Sequence, residues 1–373
     1  MGTSAPTNLR VPSPPQHVTA VQHRGIERVD ARDFRAEILP LFEANGKPFF
    51  ADQFDWYYRD KGQQTPTSWV LRDSKGRILG LCSVTIRNLS FGTLHVRAGI
   101  AGNLVVDRTR GAYLGPFSLV NAMKCLVNDS EIDVLLGIPN DLACPVFSRL
   151  DFKIIDRWTT YVQIAKSRDL LSCHFGRPGI AASAIVDWAA AAMRGLSHWQ
   201  QVKSSGLRVI ELTETELARV RFEEWPSAWH RFQTVATSDY LKWHFLRSPM
   251  NDFTAVGIVS PKYEVLAYLV LRTSRGRIWI ADCGADHRRL TETLAILCFC
   301  HDRRALAGTV WIPTLSSGAF AQQLASCGFA KMPTAMGAYP DFPLVGFWRP
   351  DHPLADAFSQ PSSWHLFSGF NDV

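Results

Sequence analysis

Two stretches of the chain carry the same succession of apolar runs and polar turns. Residues 68–86, SWVLRDSKGRILGLCSVTI, and residues 253–271, FTAVGIVSPKYEVLAYLVL, each read as an apolar strand, a short polar turn and a second apolar strand, the pattern of a hairpin. Before each stands an aromatic segment, QFDWYYR (53–59) and YLKWHFLR (240–247). Pairing Trp56 with Trp243 sets an offset of 187, which also matches Lys75 with Lys262, Ile78 with Val265, Leu79 with Leu266 and Gly80 with Ala267. Further on, Gly137-Ile138-Pro139 matches Trp311-Ile312-Pro313. SRLDFKII (148–155) matches ASCGFAKM (325–332), where the offset has shrunk to 177. The chain therefore reads as an internal repeat.

Each copy predicts a helix carrying the Trp, a hairpin, a strand, a helix, a strand, a helix and a last strand. The central helices fall at 115–127 and 291–305, and the later ones at 141–150 and 318–327. Strands and helices mixed on this scale imply an α/β (α+β layered) fold: two mixed, largely antiparallel sheets flanked by helices, related by a pseudo-twofold. The expected division is a flexible, proline-rich lead-in at 1–20, a first domain at 21–170, a helical linker at 171–210 and a second domain with a C-terminal tail at 211–373. Within the linker the Ala-rich stretch 179–196 reads as a helix.

Composition narrows the function classes. At 373 residues the chain is too long for one compact core, and its 46% apolar content favours folding over disorder. The net charge of +6, from 40 Lys and Arg against 34 Asp and Glu, is thin and scattered. It suits an anionic small ligand and argues against nucleic acid as a partner. No apolar run of membrane-spanning length occurs, and the start lacks a secretory core. The eight cysteines include Cys82, Cys125 and Cys298 in apolar segments, as expected of a reduced, cytoplasmic protein. Cys283, His287, Cys298, Cys300 and His301 follow no standard metal-ligand spacing, so no metal is expected.

The segment richest in candidate chemistry is IAGNLVVDRTRGAYLGPFSLV (100–120). An apolar strand through Leu104, Val105 and Val106 runs into a basic turn containing glycine, then into a helix. Backbone amides and the positive end of the helix dipole make such a turn an anion site. Arg108 and Arg110 can pair with phosphate oxygens, and Gly111 and Gly115 leave room for close approach. The glycine spacing of a dinucleotide fingerprint and the Gly-Lys-Ser/Thr ending of a P-loop are both absent. An ordinary strand-to-helix turn fits the same residues.

In its repeat, this segment resembles the GNAT superfamily of coenzyme A-dependent N-acyltransferases. Val106-Asp107 and Arg110-Gly111-Ala112-Tyr113-Leu114-Gly115 stand where that family has its strand end and pyrophosphate-binding turn. Asn140, Phe147, Asp151 and Phe152 fall in the register of its later signature, with Phe147 at the place of a thiolate-protonating Tyr. The resemblance implies an acyl-CoA co-substrate, acetyl or a longer hydroxyacyl, held by 104–106, Arg108, 110–115, Asn140 and Phe147. The strand amides near Leu104 to Val106 would serve as oxyanion donors. The second copy has Asp286-His287-Arg288-Arg289-Leu290-Thr291 at its turn, with no glycine, so only the first copy is expected to bind the donor.

The tandem arrangement, the Trp helices and the tail QPSSWHL (360–366) resemble tandem GNAT enzymes that acylate nucleotide-linked amino sugars for surface polysaccharide such as O-antigen. That resemblance implies acceptor contacts at Trp56, Tyr57 and Trp243. Asn103 stands where relatives carry a carboxylate base. The nearest titratable candidates for proton removal are His95, Asp55 and His244. A homodimer is left open. Two other readings remain: a Fem-like aminoacyl transferase using transfer RNA, and an inactive GNAT-fold binding protein.

Overall fold

The computed structural model describes residues 25–46, 51–58, 65–107, 114–164, 177–179, 182–183, 185, 205–222, 225, 231–249, 252–274, 277–286, 292–302, 309–333 and 342–368. The lead-in 1–20, most of the Ala-rich stretch, the turn 108–113 and its counterpart 287–291 lie outside these residues.

The hairpin turns of the repeat are reproduced hydrogen bond by hydrogen bond. In the first copy, strand β2 (Thr67–Arg72) turns into β3 (Ile78–Phe91). Asp73 Oδ1 accepts from the N–H groups of Lys75 (2.8 Å) and Arg77 (3.0 Å), and Gly76 takes a φ of 78°. In the second copy β9 (Phe253–Val259) turns into β10 (Val265–Ser274). Ser260 Oγ there accepts from Lys262 and Glu264, both at 3.2 Å, and Tyr263 takes a φ of 63°. A short side-chain acceptor at the first turn position is what such turns select.

Among the described residues, fourteen strands join in a single sheet. From one edge the order is β1 (Ile26–Val29), β2, β3, β4 (Leu94–Val106), β5 (Val134–Gly137), β14 (Pro343–Trp348), β6 (Lys153–Ile164), β12 (Thr309–Leu315), β11 (Arg277–Ala285), β10, β9 and β7 (Arg208–Glu211). Off this path, β8 (Gln233–Thr234) pairs with β3 and β13 (Ala330–Lys331) with β6. Neighbours are antiparallel except β4 with β5 and β11 with β12.

The copies exchange strands. β14, late in the second copy, stands between β5 and β6 of the first. β6 pairs with β14 through Lys153–Arg157 and with β12 of the second copy through Trp158–Ile164. The bounds 21–170 and 211–373 mark the repeat in sequence, but the sheet does not divide there.

Helices α1 (Arg35–Ala44) and α2 (Ala51–Tyr58) cover one face of the first half-sheet, and α3 (Gly115–Asn128) and α4 (Cys144–Arg149) cover the other. In the second copy α5 (Glu214–Leu217) precedes α6 (Ser238–Leu241), which continues as a π-helical turn, Lys242–Leu246. Glu292–Asp302 forms α7 and Ala319–Ser326 forms α8, with α9 (Ala355–Ser359) near the end. None of the described helices is long and apolar enough to cross a membrane.

Where the copies meet, Trp56 and Trp243 stack at 4.9 Å between ring centroids. Each indole N–H donates to the other residue's carbonyl, Trp56 to Trp243 at 2.9 Å and Trp243 to Trp56 at 3.3 Å. Reciprocal bonds between residues 187 apart are what a pseudo-twofold requires of equivalent positions.

Candidate active site

β4 and β5 are hydrogen-bonded only where Ala98–Ile100 faces Val134–Leu136. Beyond Ile100, β4 runs on to Val106 against β3 alone, so its other edge faces a cleft. The cleft holds a cavity of about 450 Å³. Ala101, Gly102, Asn103, Leu104, Val105 and Val106 form one wall. Ile138, Pro139, Asn140, Val146 and Phe147 form the other, and Pro116, Asn45 and Phe342 close the ends. A strand edge in the middle of a sheet carries backbone N–H and C=O groups with no strand partner on that side.

The ladder between β3 and β4 is broken at the same place. Leu81 faces Val105 and Ser83 faces Gly102, so Asn103 and Leu104 together oppose Cys82, a β-bulge. Asn103 is left-handed, with a φ of 53°, and only 7% exposed. Its Nδ2 donates to Tyr58 Oη at 3.1 Å, while its buried Oδ1 has no hydrogen-bond partner among the described residues. Tyr58 in turn bonds Ser83 Oγ at 2.7 Å, and Ser83 bonds Ser68 Oγ at 3.0 Å. Burial pushes the Tyr58 phenol up to about 12, so it stays protonated.

Across the cleft, Asn140 Oδ1 accepts from Ala143 N–H at 3.0 Å and starts the turn into α4. Phe147 packs edge-on against Phe152 at 4.8 Å. At the first turn of α3, Leu114 is exposed and supplies no side-chain cap, and Pro116 reaches the cavity. Gly115 serves packing: a Cβ there would stand 2.8 Å from Leu71 Cδ2 and 3.1 Å from Val106 Cγ1, so the glycine lets α3 sit close on the sheet.

The structure thus brings together Asn103, Leu104, Val105, Val106, Asn140 and Phe147, with Leu114 and Gly115 at the adjoining helix start. Arg108, Arg110, Gly111, Ala112 and Tyr113 lie outside the described residues. The three titratable candidates do not join the cleft. His95 is exposed at the far end of β4, facing Ser90 beside the β3–β4 turn. Asp55 pairs with Arg35 at 3.2 Å on α2. His244 is buried and stacked on Tyr240 at 5.2 Å. The acceptor contacts expected of Trp56, Tyr57 and Trp243 are likewise corrected. The two indoles are spent on each other, and Tyr57 is buried with its hydroxyl 2.9 Å from Thr85 Oγ1. Aromatic residues at helical spacing here form core, not a stacking platform. Of the residues the sequence missed, Tyr58 lay within the repeated aromatic motif. Phe342 carried no signal, because only the strand exchange brings it to the first copy.

The second copy repeats the opening, since β11 meets β12 only at Arg277–Trp279 with Thr309–Trp311. Here the C-terminal tail fills the vacated side. Phe367 pairs with Thr314, whose other flank faces Thr159 of β6, and Thr314 Oγ1 donates to Leu366 O at 2.8 Å. Phe367 packs on Phe320 at 5.1 Å. His365 Nε2 lies 3.8 Å from Glu292 at the start of α7. Burial raises the Glu292 carboxyl to about 7. Cys283 and Cys300 sit inside the apolar core beside this tail.

No protein-family profile and no curated protein matches this sequence. Solved structures do. A probable N-acyltransferase of Enterococcus faecalis V583 matches with a TM-score of 0.62 at 9% identity, over 87% of this chain and 71% of that one. A GCN5-related N-acetyltransferase from Anabaena variabilis matches at 0.58 and 9% identity, over 86% and 72%. N-myristoyltransferase of Saccharomyces cerevisiae, solved with myristoyl-CoA, matches at 0.53 and 12% identity, over 95% and 88%. The fold is that of the GCN5-related N-acetyltransferases, in which a large mixed sheet is flanked by helices.

Proposed function

We propose that this chain is an N-acyltransferase that takes its acyl group from acyl-CoA in the β4/β5 cleft. The observation that carries the reading is the open edge of β4 at a bulge, inside a 450 Å³ cavity. A pantetheine arm presents amide N–H and C=O groups in an extended chain, which is what an unpaired strand edge can bind. The apolar wall at Val146 and Phe147 suits its methylene segments. The uncapped start of α3 suits an anionic group, and in this reading Arg108, Arg110 and Gly111 complete the phosphate contacts.

The reaction asks little of titrating groups. The acceptor amine attacks the thioester carbonyl, a C–N bond forms, the C–S bond breaks, and the thiolate leaves and takes up a proton. Backbone N–H groups on the Leu104–Val106 edge stabilise the oxyanion. Asn103 cannot take a proton at neutral pH and its Oδ1 is buried, so the amine's proton passes to water in the open cleft.

For the acceptor, a nucleotide-linked amino sugar in the cytoplasm, destined for surface polysaccharide, remains the reading to test first. The aromatic contacts that supported it belong to the core, and what supports it now is the tandem resemblance and the arginine excess, which suits a diphosphate. The test is thiol release from acetyl-, hydroxyacyl- and long-chain acyl-CoA across a panel of nucleotide amino sugars. Release that rises only with the amino sugar supports the reading. Dependence on added transfer RNA would favour the Fem-like alternative, and no release with any amine would mark a binding protein.

A further inference from the structure

The two copies form an internal control for which side chains the fold itself needs. In the first copy a continuous polar chain runs through the apolar interior: Ser68 on β2, Ser83 on β3, Tyr58 on α2 and Asn103 on β4. Ser68, Ser83 and Tyr58 have no exposed surface. The equivalent positions of the second copy follow from the 187 offset and from the register. Ser68 faces Ser83 in the ladder as Ala255 faces Val270. Phe245 stands where Tyr58 does, adjoining its own Trp helix. Asn103 precedes Asp107 by four residues, as Asp282 precedes Asp286. The two aspartate N–H groups bind equivalent carbonyls, Leu79 at 2.7 Å and Leu266 at 2.8 Å.

Ala255, Val270 and Phe245 pack in one cluster, so the Ser68, Ser83 and Tyr58 hydroxyls have no counterpart there; the hydroxyl that reaches Asp282 comes from the strand instead, Tyr268 Oη at 3.4 Å. Asp282 is not among the residues with positive φ, whereas Asn103 is. The polar chain and the left-handed residue therefore occur together, in the copy whose cleft is open. The copy whose cleft holds the chain's own tail has the Tyr268–Asp282 pair in place of a chain from the Trp helix, and no left-handed residue at that position. Burying hydroxyls costs free energy that an apolar replacement of similar shape avoids, and a left-handed non-glycine residue persists only where its surroundings hold it. A feature with both costs, for which the second copy uses a different arrangement, points to the cleft it borders.

We infer that Tyr58 is a positioning residue: with Ser83 and Ser68 behind it, its hydroxyl takes the Asn103 amide and holds the β4 bulge in the left-handed form that sets the donor-binding edge. This rests on the reading of the cleft as the acyl-CoA site. Tyr58 does not touch the donor and moves no proton. Its persistent hydroxyl, kept protonated by burial, is a fixed partner for Nδ2.

The experiment transplants the second copy's residues into the first. The triple variant Ser68→Ala, Ser83→Val, Tyr58→Phe is expected to fold, as the second copy does around those residues, with a Tm lowered by a few degrees because the buried Asn103 Nδ2 loses its acceptor. Assayed well below that Tm, its kcat for thiol release from acetyl-CoA should fall by roughly 10- to 100-fold, the scale of an ångström misplacement at a reacting centre, with the donor KM changed less than about threefold. Tyr58→Phe alone gives the same split if the triple variant does not fold. Asn103→Gly supplies the left-handed backbone without the amide, so in that background Tyr58→Phe should have no further effect on kcat. Unchanged kcat in the Tyr58 variants, or additive losses in the glycine background, would overturn the inference. A wild-type chain that neither binds acetyl-CoA by calorimetry nor releases thiol would instead overturn the proposed function beneath it.

Discussion

Replacing Trp56 by Phe tests whether the aromatic helices belong to the core between the copies or to an acceptor site. The indole N–H of Trp56 donates to the Trp243 carbonyl at 2.9 Å inside a region where both residues are more than nine-tenths buried. Phenylalanine leaves that carbonyl without its donor, which costs about 1–3 kcal/mol. Loss of half the stacked ring area removes up to about another 1 kcal/mol of the aromatic pairing. A destabilisation of about 2–4 kcal/mol follows. With an unfolding entropy of roughly 2 cal/mol/K per residue, a chain of this length loses about 3–5 °C in Tm. The mirror change, Trp243→Phe, should cost somewhat less, because its bond is longer at 3.3 Å. The double variant should fall short of the sum, since the two rings share one contact. Calorimetric melting of the four proteins gives the cycle, and initial rates against amino-sugar concentration give the acceptor KM. An unchanged Tm together with a tenfold rise in acceptor KM would refute the assignment of these rings to the core.

Two further outcomes are expected. The buried Glu292 carboxyl is raised from 4.5 to about 7, so the folded state holds its proton where the unfolded state has lost it. Its contribution is full below pH 4.5 and is lost as pH rises through 7. Glu292→Gln should therefore lose less Tm between pH 5 and pH 8 than wild type does, and an equal or steeper loss would show that the carboxyl is not protonated in the fold. Because the tail covers the second opening at Thr314, calorimetry with acetyl-CoA should give one donor per chain, and two equal sites would contradict the plugged cleft.

Much of the repeat was legible because it is written in local chemistry. The 73–77 and 260–264 turns each need a short acceptor side chain and a left-handed residue, and the sequence shows Asp73 with Gly76 against Ser260. Tyr263 in the left-handed position is not legible, since nothing in its type announces it. The central helix at 115–127 is found at Gly115–Asn128, because an apolar stripe at helical spacing follows a proline-bearing start. Partners of strands were not legible. The continuous apolar run of β14 says that the strand is buried, but not that β5 and β6 will flank it, because pairing at that distance leaves no mark in either segment. The Trp helices misled for a related reason: helical spacing marks a buried face without saying whether a ligand or a second copy buries it.

Strand exchange also explains why one cleft in a doubled chain can depend on both halves. Phe342, directly before β14, closes the cavity, and its carbonyl accepts from Trp158 N–H at 3.0 Å in the middle of β6. β14 is held at its far end by a further tie to the first copy, where His352 Nε2 lies 3.2 Å from Asp133 Oδ1, just before β5. The second copy thus supplies a wall of the first copy's cleft while its own opening is filled by the segment that follows β14. The same C-terminal stretch does both. Once β14 is placed between β5 and β6, α9 and the turn after it pack under Phe232 and Trp364, and the chain is led to Thr314. The path of the last thirty or so residues thus closes one cleft and completes a wall of the other, and it adds to the asymmetry that the copies already carry within the repeat at Tyr58, Ser68, Ser83 and Asn103.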